Sequence, residues 1–196
     1  RVRDMKEMFY NCSNLETLNV TGWDTSKVTD MSSMFMNCSV LKYVDVNGWN
    51  TSNVRTMYYM FRNCNCITGL DVSKWNTSKV KTMNYTFSGC GSLRELHIKN
   101  WDTSNVTTMN DTFYMCGVEE LDLSGWKTNK VRTLNYTFYK CKKLKKIDLT
   151  GWNTSRVRQL RQTFSESQKL TEVKGLSDFD MSNVTEAFMT FYSPIS

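Results

Sequence analysis

The chain has 196 residues, a hydrophobic fraction of 40%, and 25 Lys and Arg against 19 Asp and Glu, a net charge of +6. No apolar run approaches the ~18 residues of a membrane-spanning helix, so this sequence holds none. A single histidine and nine scattered glycines leave little for acid–base chemistry or a phosphate-binding loop, so an enzyme is not expected.

Tryptophan sets the period. Trp23, Trp49, Trp75 and Trp101 stand 26 residues apart, Trp126 follows after 25 and Trp152 after 26, and Phe179 takes the same place 27 residues later. A fixed interval of this size predicts stacked repeats, each burying its core face against the next. With no Pro- or Gly-rich linker, residues 1–196 read as one domain of about seven repeats. The first repeat is partial, and the last, FDMSNVTEAFMTF, is degenerate and expected to act as a cap. The chain opens on Arg1-Val2 within a repeat, as expected of a piece of a larger protein.

Each repeat has two halves. The first is L-x-x-L-x-V: LETLNV, LKYVDV, ITGLDV, LRELHI, VEELDL (one residue short before Val118) and LKKIDL. Val44 and Val46 alternate with Tyr43, Asp45 and Asn47, and this period of two predicts a short strand. In the second half Val54, Met57, Met60 or Phe61, and Cys64 recur every three or four residues, which predicts a helical stripe. Thr51 just before it, like Thr25, Thr77, Thr103, Thr128 and Thr154, reads as a helix N-cap. The expected fold is an α/β repeat solenoid of leucine-rich-repeat type, curved, with a parallel sheet on the concave side and short helices outside.

Several columns run through the repeats. The tryptophans could be an aromatic platform, but their regular place at a strand edge favours a packed core column. Cys12, Cys38, Cys64, Cys90, Cys116 and Cys141 share one position, and Cys66 is extra. Without short metal-ligand spacing they read as reduced core thiols rather than a metal site or disulfides. No cofactor or metal is expected. On the strands the most variable column is Thr17, Tyr43, Gly69, Glu95, Glu120, Lys146 and Glu172, beside the column Asp45, Asp71, His97, Asp122 and Asp148. Thr17, Tyr43, Asp45, Asp71, Glu95, His97, Glu120, Asp122, Lys146 and Asp148 are therefore the candidate binding residues. Lys140, Lys142, Lys143, Lys145 and Lys146 form a candidate polyanion ridge, with further cations at Lys27, Lys79, Lys130 and Arg156 and at Arg55, Lys81, Arg132 and Arg158. Either set could equally be a solvated face. Exposed aromatic character at Tyr59, Tyr85, Tyr114, Tyr136 and Tyr139 would suit self-association.

The recurring string, here WDTSKVTDMSSMFMNCSVL, WNTSNVRTMYYMFRNCNCI and WNTSKVKTMNYTFSGCGSL, resembles the BspA-like leucine-rich repeat surface proteins. Within them it is similar to the tandem repeat of unknown function found in lactobacilli, listeriae and mycoplasmas. The resemblance covers nearly the whole chain. It implies a non-enzymatic scaffold at a cell surface or outside the cell, with a cytoplasmic location as the alternative. It also implies adhesion to a protein or glycan partner, such as a host surface. Nucleic acid is not an expected partner. A structural or self-assembling component of a surface layer or virion, or a polyanion-binding module using the basic ridge, is the alternative function.

Overall fold

The computed structural model describes residues 2–192. Successive repeats lie side by side as coils of a stack, each residue beside its counterpart one period later. On one side the L-x-x-L-x-V segments pair in parallel. β1 (Thr17–Leu18) joins β2 (Tyr43–Val44), and β3 (Glu120–Asp122), β4 (Lys146–Asp148) and β5 (Glu172–Lys174) form a three-stranded sheet in the order β3-β4-β5. Leu121 pairs with Ile147, and Ile147 with Val173. The equivalent segments of the intervening repeats fall outside the assigned strands.

A second parallel ladder runs along the other side. Single bridges link Asp4, Asp30, Thr56, Thr82, Thr108, Thr133, Gln159 and Glu186 in turn, from the first coil to the last. β-branched Val and Thr fill the residues around it, and they suit extended backbone.

The core lies between the two ladders. Val54, Met57, Phe61 and Cys64, with their counterparts in the central coils, are fully buried. The rings of Phe9, Phe35, Phe61, Phe87, Phe113, Phe138, Phe164 and Phe191 stack with centroids 5.0–6.0 Å apart. The tryptophans stack likewise at 6.1–6.4 Å.

The expected helices are absent. Among the described residues the only helical segment is a 3-10 turn at Leu176–Asp178. The stripe Met57–Cys64 is instead a run of tight turns whose N–H groups alternate in direction. Met60, Arg62 and Cys64 donate to the carbonyls of Met57, Tyr59 and Phe61, three residues back. Tyr59, Phe61 and Asn63 donate to Asn84, Thr86 and Ser88 of the next coil. A helix would satisfy each N–H within its own coil and leave nothing to tie the coils together. Two residues per coil pay for the turns with left-handed backbone: Ser33, Tyr59, Tyr85, Asp111 and Tyr136 in one column, Asn11, Asn37, Asn63 and Gly89 in the other. Asn and Gly tolerate that conformation best.

The threonines are not helix caps either. Thr25, Thr51, Thr77 and Thr128 are buried, and each hydroxyl donates to a carbonyl of the next coil, at Asn50, Asn76, Asp102 and Asn153. The local turn is closed by the residue before, whose side chain accepts the N–H two residues on, as Asp24 does from Ser26 and Asn50 from Ser52.

Candidate functional site

The strand side is where side chains leave the stack. Along each strand one residue points into the core and its neighbours point out, so Leu121 and Ile147 are buried while Glu120, Asp122 and Lys146 are not. Thr17, Tyr43, Glu95 and His97 are exposed in the same rows, Tyr43 at 57%. The core columns scarcely change from coil to coil, whereas the outward row Thr17, Tyr43, Gly69, Glu95, Glu120, Lys146 and Glu172 holds five residue types in seven coils.

In the last four coils the rows line one open groove that brings together Glu95, His97, Glu120, Asp122, Lys146 and Asp148. Thr17, Tyr43, Asp45 and Asp71 lie on the same face outside it. Arg94, Lys99, Glu172 and Lys174 also line the groove. Arg94, Lys99 and Lys174 were not among the candidates, yet Arg94 and Lys99 stand one and two residues from Glu95 and His97, and Lys174 pairs with Asp148 in the Asp column itself, so their place was readable.

Charge on this face is paired across coils. Lys42 Nζ is 2.7 Å from Glu16, Lys99 Nζ 2.7 Å from Asp122, Lys145 Nζ 2.5 Å from Glu119 and Lys146 Nζ 3.9 Å from Glu120. His97 Nε2 is 3.6 Å from Glu95. Such exposed pairs add little stability, but they leave the face nearly neutral. The aspartates have a local task as well. Asp45, Asp71, Asp122 and Asp148 accept the N–H of Asn47, Ser73, Ser124 and Thr150 and so close the turn after the strand. The Lys99 ammonium and the Ser124 hydroxyl hold the Asp122 carboxyl down at about 2.

The lysine cluster is largely engaged. Lys140 lies 3.5 Å from Glu166, Lys143 donates to the Gly91 carbonyl at 3.2 Å, and Lys145 and Lys146 are paired as above. Lys142 is exposed.

Trp49, Trp75, Trp101, Trp126 and Trp152 are at most 5% exposed, and Trp23 is half-buried. The indoles of Trp75, Trp101, Trp126 and Trp152 donate to Val46, Val72, Ile98 and Leu123 carbonyls at 2.9–3.0 Å. All seven cysteines are free. Cys38, Cys64, Cys90 and Cys141 donate to the carbonyls of Phe9, Phe35, Phe61 and Phe113, and burial raises their pKa values. Ser167, in the same column, makes the same bond to Phe138, which explains how it substitutes. Cys116 is buried in line with them, Cys12 is half-buried and Cys66 is exposed. Among the described residues no group of three or more His, Cys, Asp or Glu is placed to hold a metal ion.

The turn side holds an aromatic cluster. Tyr59 and Tyr85 lie 4.6 Å apart, and the Arg62 guanidinium sits 4.9 and 5.4 Å from their ring centres. Tyr114 and Tyr139 pack at 5.4 Å. These tyrosines are half-buried, so they pack on one another more than they project.

The family described as "Mycoplasma protein of unknown function, DUF285" matches residues 3–117 and 86–195, and the chain belongs to it. No curated protein matches significantly. Among solved structures, a leucine-rich repeat protein from Bacteroides ovatus ATCC 8483, with a crystal structure at 1.19 Å resolution, is similar at 20% identity and a TM-score of 0.48. The match covers 89% of this chain and 50% of that one, so the chain spans about half the length of that protein.

Proposed function

We propose that this member of the DUF285 family is a non-enzymatic scaffold whose strand face binds a macromolecular partner, in the first instance a protein. One observation carries the reading. A nearly invariant core presents one varied outward row beside a mostly aspartate row, and in the last four coils the two line one groove of mixed charge. A constant frame with a varied display suits recognition. The paired charges suit a protein partner, whose own acids and bases can exchange with them across a wet interface.

The test is a protein and glycan array probed with the purified chain and with a variant carrying Glu95→Lys, Glu120→Lys and Lys146→Glu. All three residues are exposed, so the melt should not move. Protein binders that the chain retains and the variant loses support the reading. Binders that ignore the triple change, or a chain that binds nothing, would overturn it.

A further inference from the structure

The second ladder carries a different electrostatic face. Five equivalent segments form its central part: 50–56, 76–82, 102–108, 127–133 and 153–159. Between them they hold eight cations (Arg55, Lys79, Lys81, Lys127, Lys130, Arg132, Arg156 and Arg158) against one carboxylate, Asp102. That net of +7 exceeds the +6 of the whole chain, so everything outside these segments sums to −1. All eight cations are exposed. Among the described residues none has a carboxylate within 4.0 Å, in contrast to the strand face.

Two of the lysines are held in place without being neutralised. Lys79 Nζ donates to the Asn53 side-chain oxygen at 2.7 Å, and Lys130 Nζ to that of Asn105 at 2.6 Å. The asparagines are themselves anchored, donating to the carbonyls of Ser26 and Ser78 at 2.8 Å. Parallel coils repeat about every 4.8 Å, so seven of the cations fall in two rows down the stack, Lys79, Lys130 and Arg156 in one and Arg55, Lys81, Arg132 and Arg158 in the other, with Lys127 outside both. Asp102, half-buried and accepting the Ser104 N–H, offsets one of these charges in part, with Ser104 and then Lys127 holding its carboxyl below the usual range; the net of +7 already counts it.

We propose that this face binds a linear polysaccharide or polyol polymer bearing sulfate or phosphate groups. Arginine and lysine rows match such groups, and the half-buried hydroxyls of Ser52, Ser78 and Ser155, one residue before the first row, donate to the Asn50, Asn76 and Asn153 side chains and keep acceptor capacity for polymer hydroxyls. The five segments contain no aromatic side chain on which a base could stack. Their apolar residues, the valines, are buried, so the face has nothing to insert into a bilayer.

The experiment measures affinity for a sulfated glycan of heparin type and for poly(glycerol phosphate), with a short DNA duplex as comparison, across a salt series. Two variants reverse four charges each and so have the same net charge. One carries Lys81→Glu, Arg132→Glu, Arg156→Glu and Arg158→Glu on this face. The other carries Lys142→Glu, Lys143→Glu, Lys145→Glu and Lys146→Glu on the strand side. The unaltered chain should bind at about 50 mM salt and weaken steeply by about 200 mM as counterions return. The first variant should lose at least about tenfold, and its salt slope should fall by about three. The second should stay near the unaltered chain. Stronger binding of one polymer identifies the group recognised. If the first variant does not fold, Arg132→Gln with Arg158→Gln should still lower the slope by more than one. No retention at low salt, equal losses in both variants, or tighter binding of the duplex would each overturn the proposal.

Discussion

Trp101 shows how single residues hold the stack together. Its ring lies between Trp75 at 6.1 Å and Trp126 at 6.4 Å, and its indole satisfies the Val72 carbonyl. Trp101→Ala removes contacts to two coils and leaves that carbonyl without its donor. A buried aromatic truncated to Ala costs about 3–5 kcal/mol, so a thermal melt should fall clearly; an unchanged melt would mean the column carries no packing. The thiols are a second case. Burial pushes Cys38 and Cys116 up to about 11 and raises Cys64, Cys90 and Cys141, so these five react poorly. Native alkylation should label Cys66 and, more slowly, Cys12, and unfolding should release all seven. Rapid native labelling of the buried five would contradict the packing. Asp111 is a third. It stands in the tyrosine column at 8% exposure, and burial lifts its carboxyl to about 6 against the opposing pull of the Tyr85 hydroxyl and Arg62. The folded state therefore holds the proton more tightly than the unfolded one. Stability falls as pH rises from about 4 to about 6, and the penalty persists above that. Asp111→Asn should stabilise by about 1 kcal/mol at neutral pH, after allowance for screening. The gain should vanish in urea melts below about pH 4; a gain independent of pH would assign it to something other than ionisation.

At the scale of one coil, the shortened repeat depends on Gly117. The coil that has lost a residue brings its backbone against the one before, and Gly117 N–H donates to the Cys90 carbonyl. A Cβ there would lie 2.2 Å from the Gly91 oxygen and 2.9 Å from that of Leu93. Both are backbone atoms, which no rotamer change can move aside. Gly117→Ala should cost about 3 kcal/mol by overpacking, whereas a Cβ at Gly91 meets nothing closer than 3.9 Å and Gly91→Ala should cost little. Similar urea midpoints for the two would refute the close approach. The sequence made the strands and columns legible because alternation and period leave few other solutions. It did not make the turns legible. Val54, Met57, Phe61 and Cys64 are spaced as on a helix, but one inward residue per tight turn gives nearly the same spacing. The clue was the column Asn11, Asn37, Asn63 and Gly89, residues suited to left-handed backbone and poor in a helix interior. At the site, the strand face could be read from pattern alone. The pairing of Lys145 with Glu119 could not, since the partners are 26 residues apart and only the register brings them together.

At the scale of the whole molecule, each coil packs its core against its neighbours, so stability is chiefly a chain of interfaces and opening starts where a coil has one neighbour instead of two. The two end coils show this in their burial. Phe9 and Trp23 are half-buried at one end and Phe179 and Val184 at the other, where Phe188 and Phe191 are 57% and 55% exposed. Phe87 and Phe113, in the middle, are fully buried. Native-state hydrogen exchange should therefore grade along the stack. The Phe87 and Phe113 amides, bonded to Thr112 and Thr137, should exchange slowest, and those of Phe9 and Phe164, bonded to Met34 and Thr190, faster. Trp101→Ala adds a discriminating step. It weakens the interfaces on both sides of one central coil, so the stack should open from the middle as well as the ends. The Phe87 and Phe113 amides should then lose more protection than those of Phe9 and Phe164. Equal protection throughout the unaltered chain, or an equal loss at every position in the variant, would show that the coils unfold as one unit and not as a chain of neighbours.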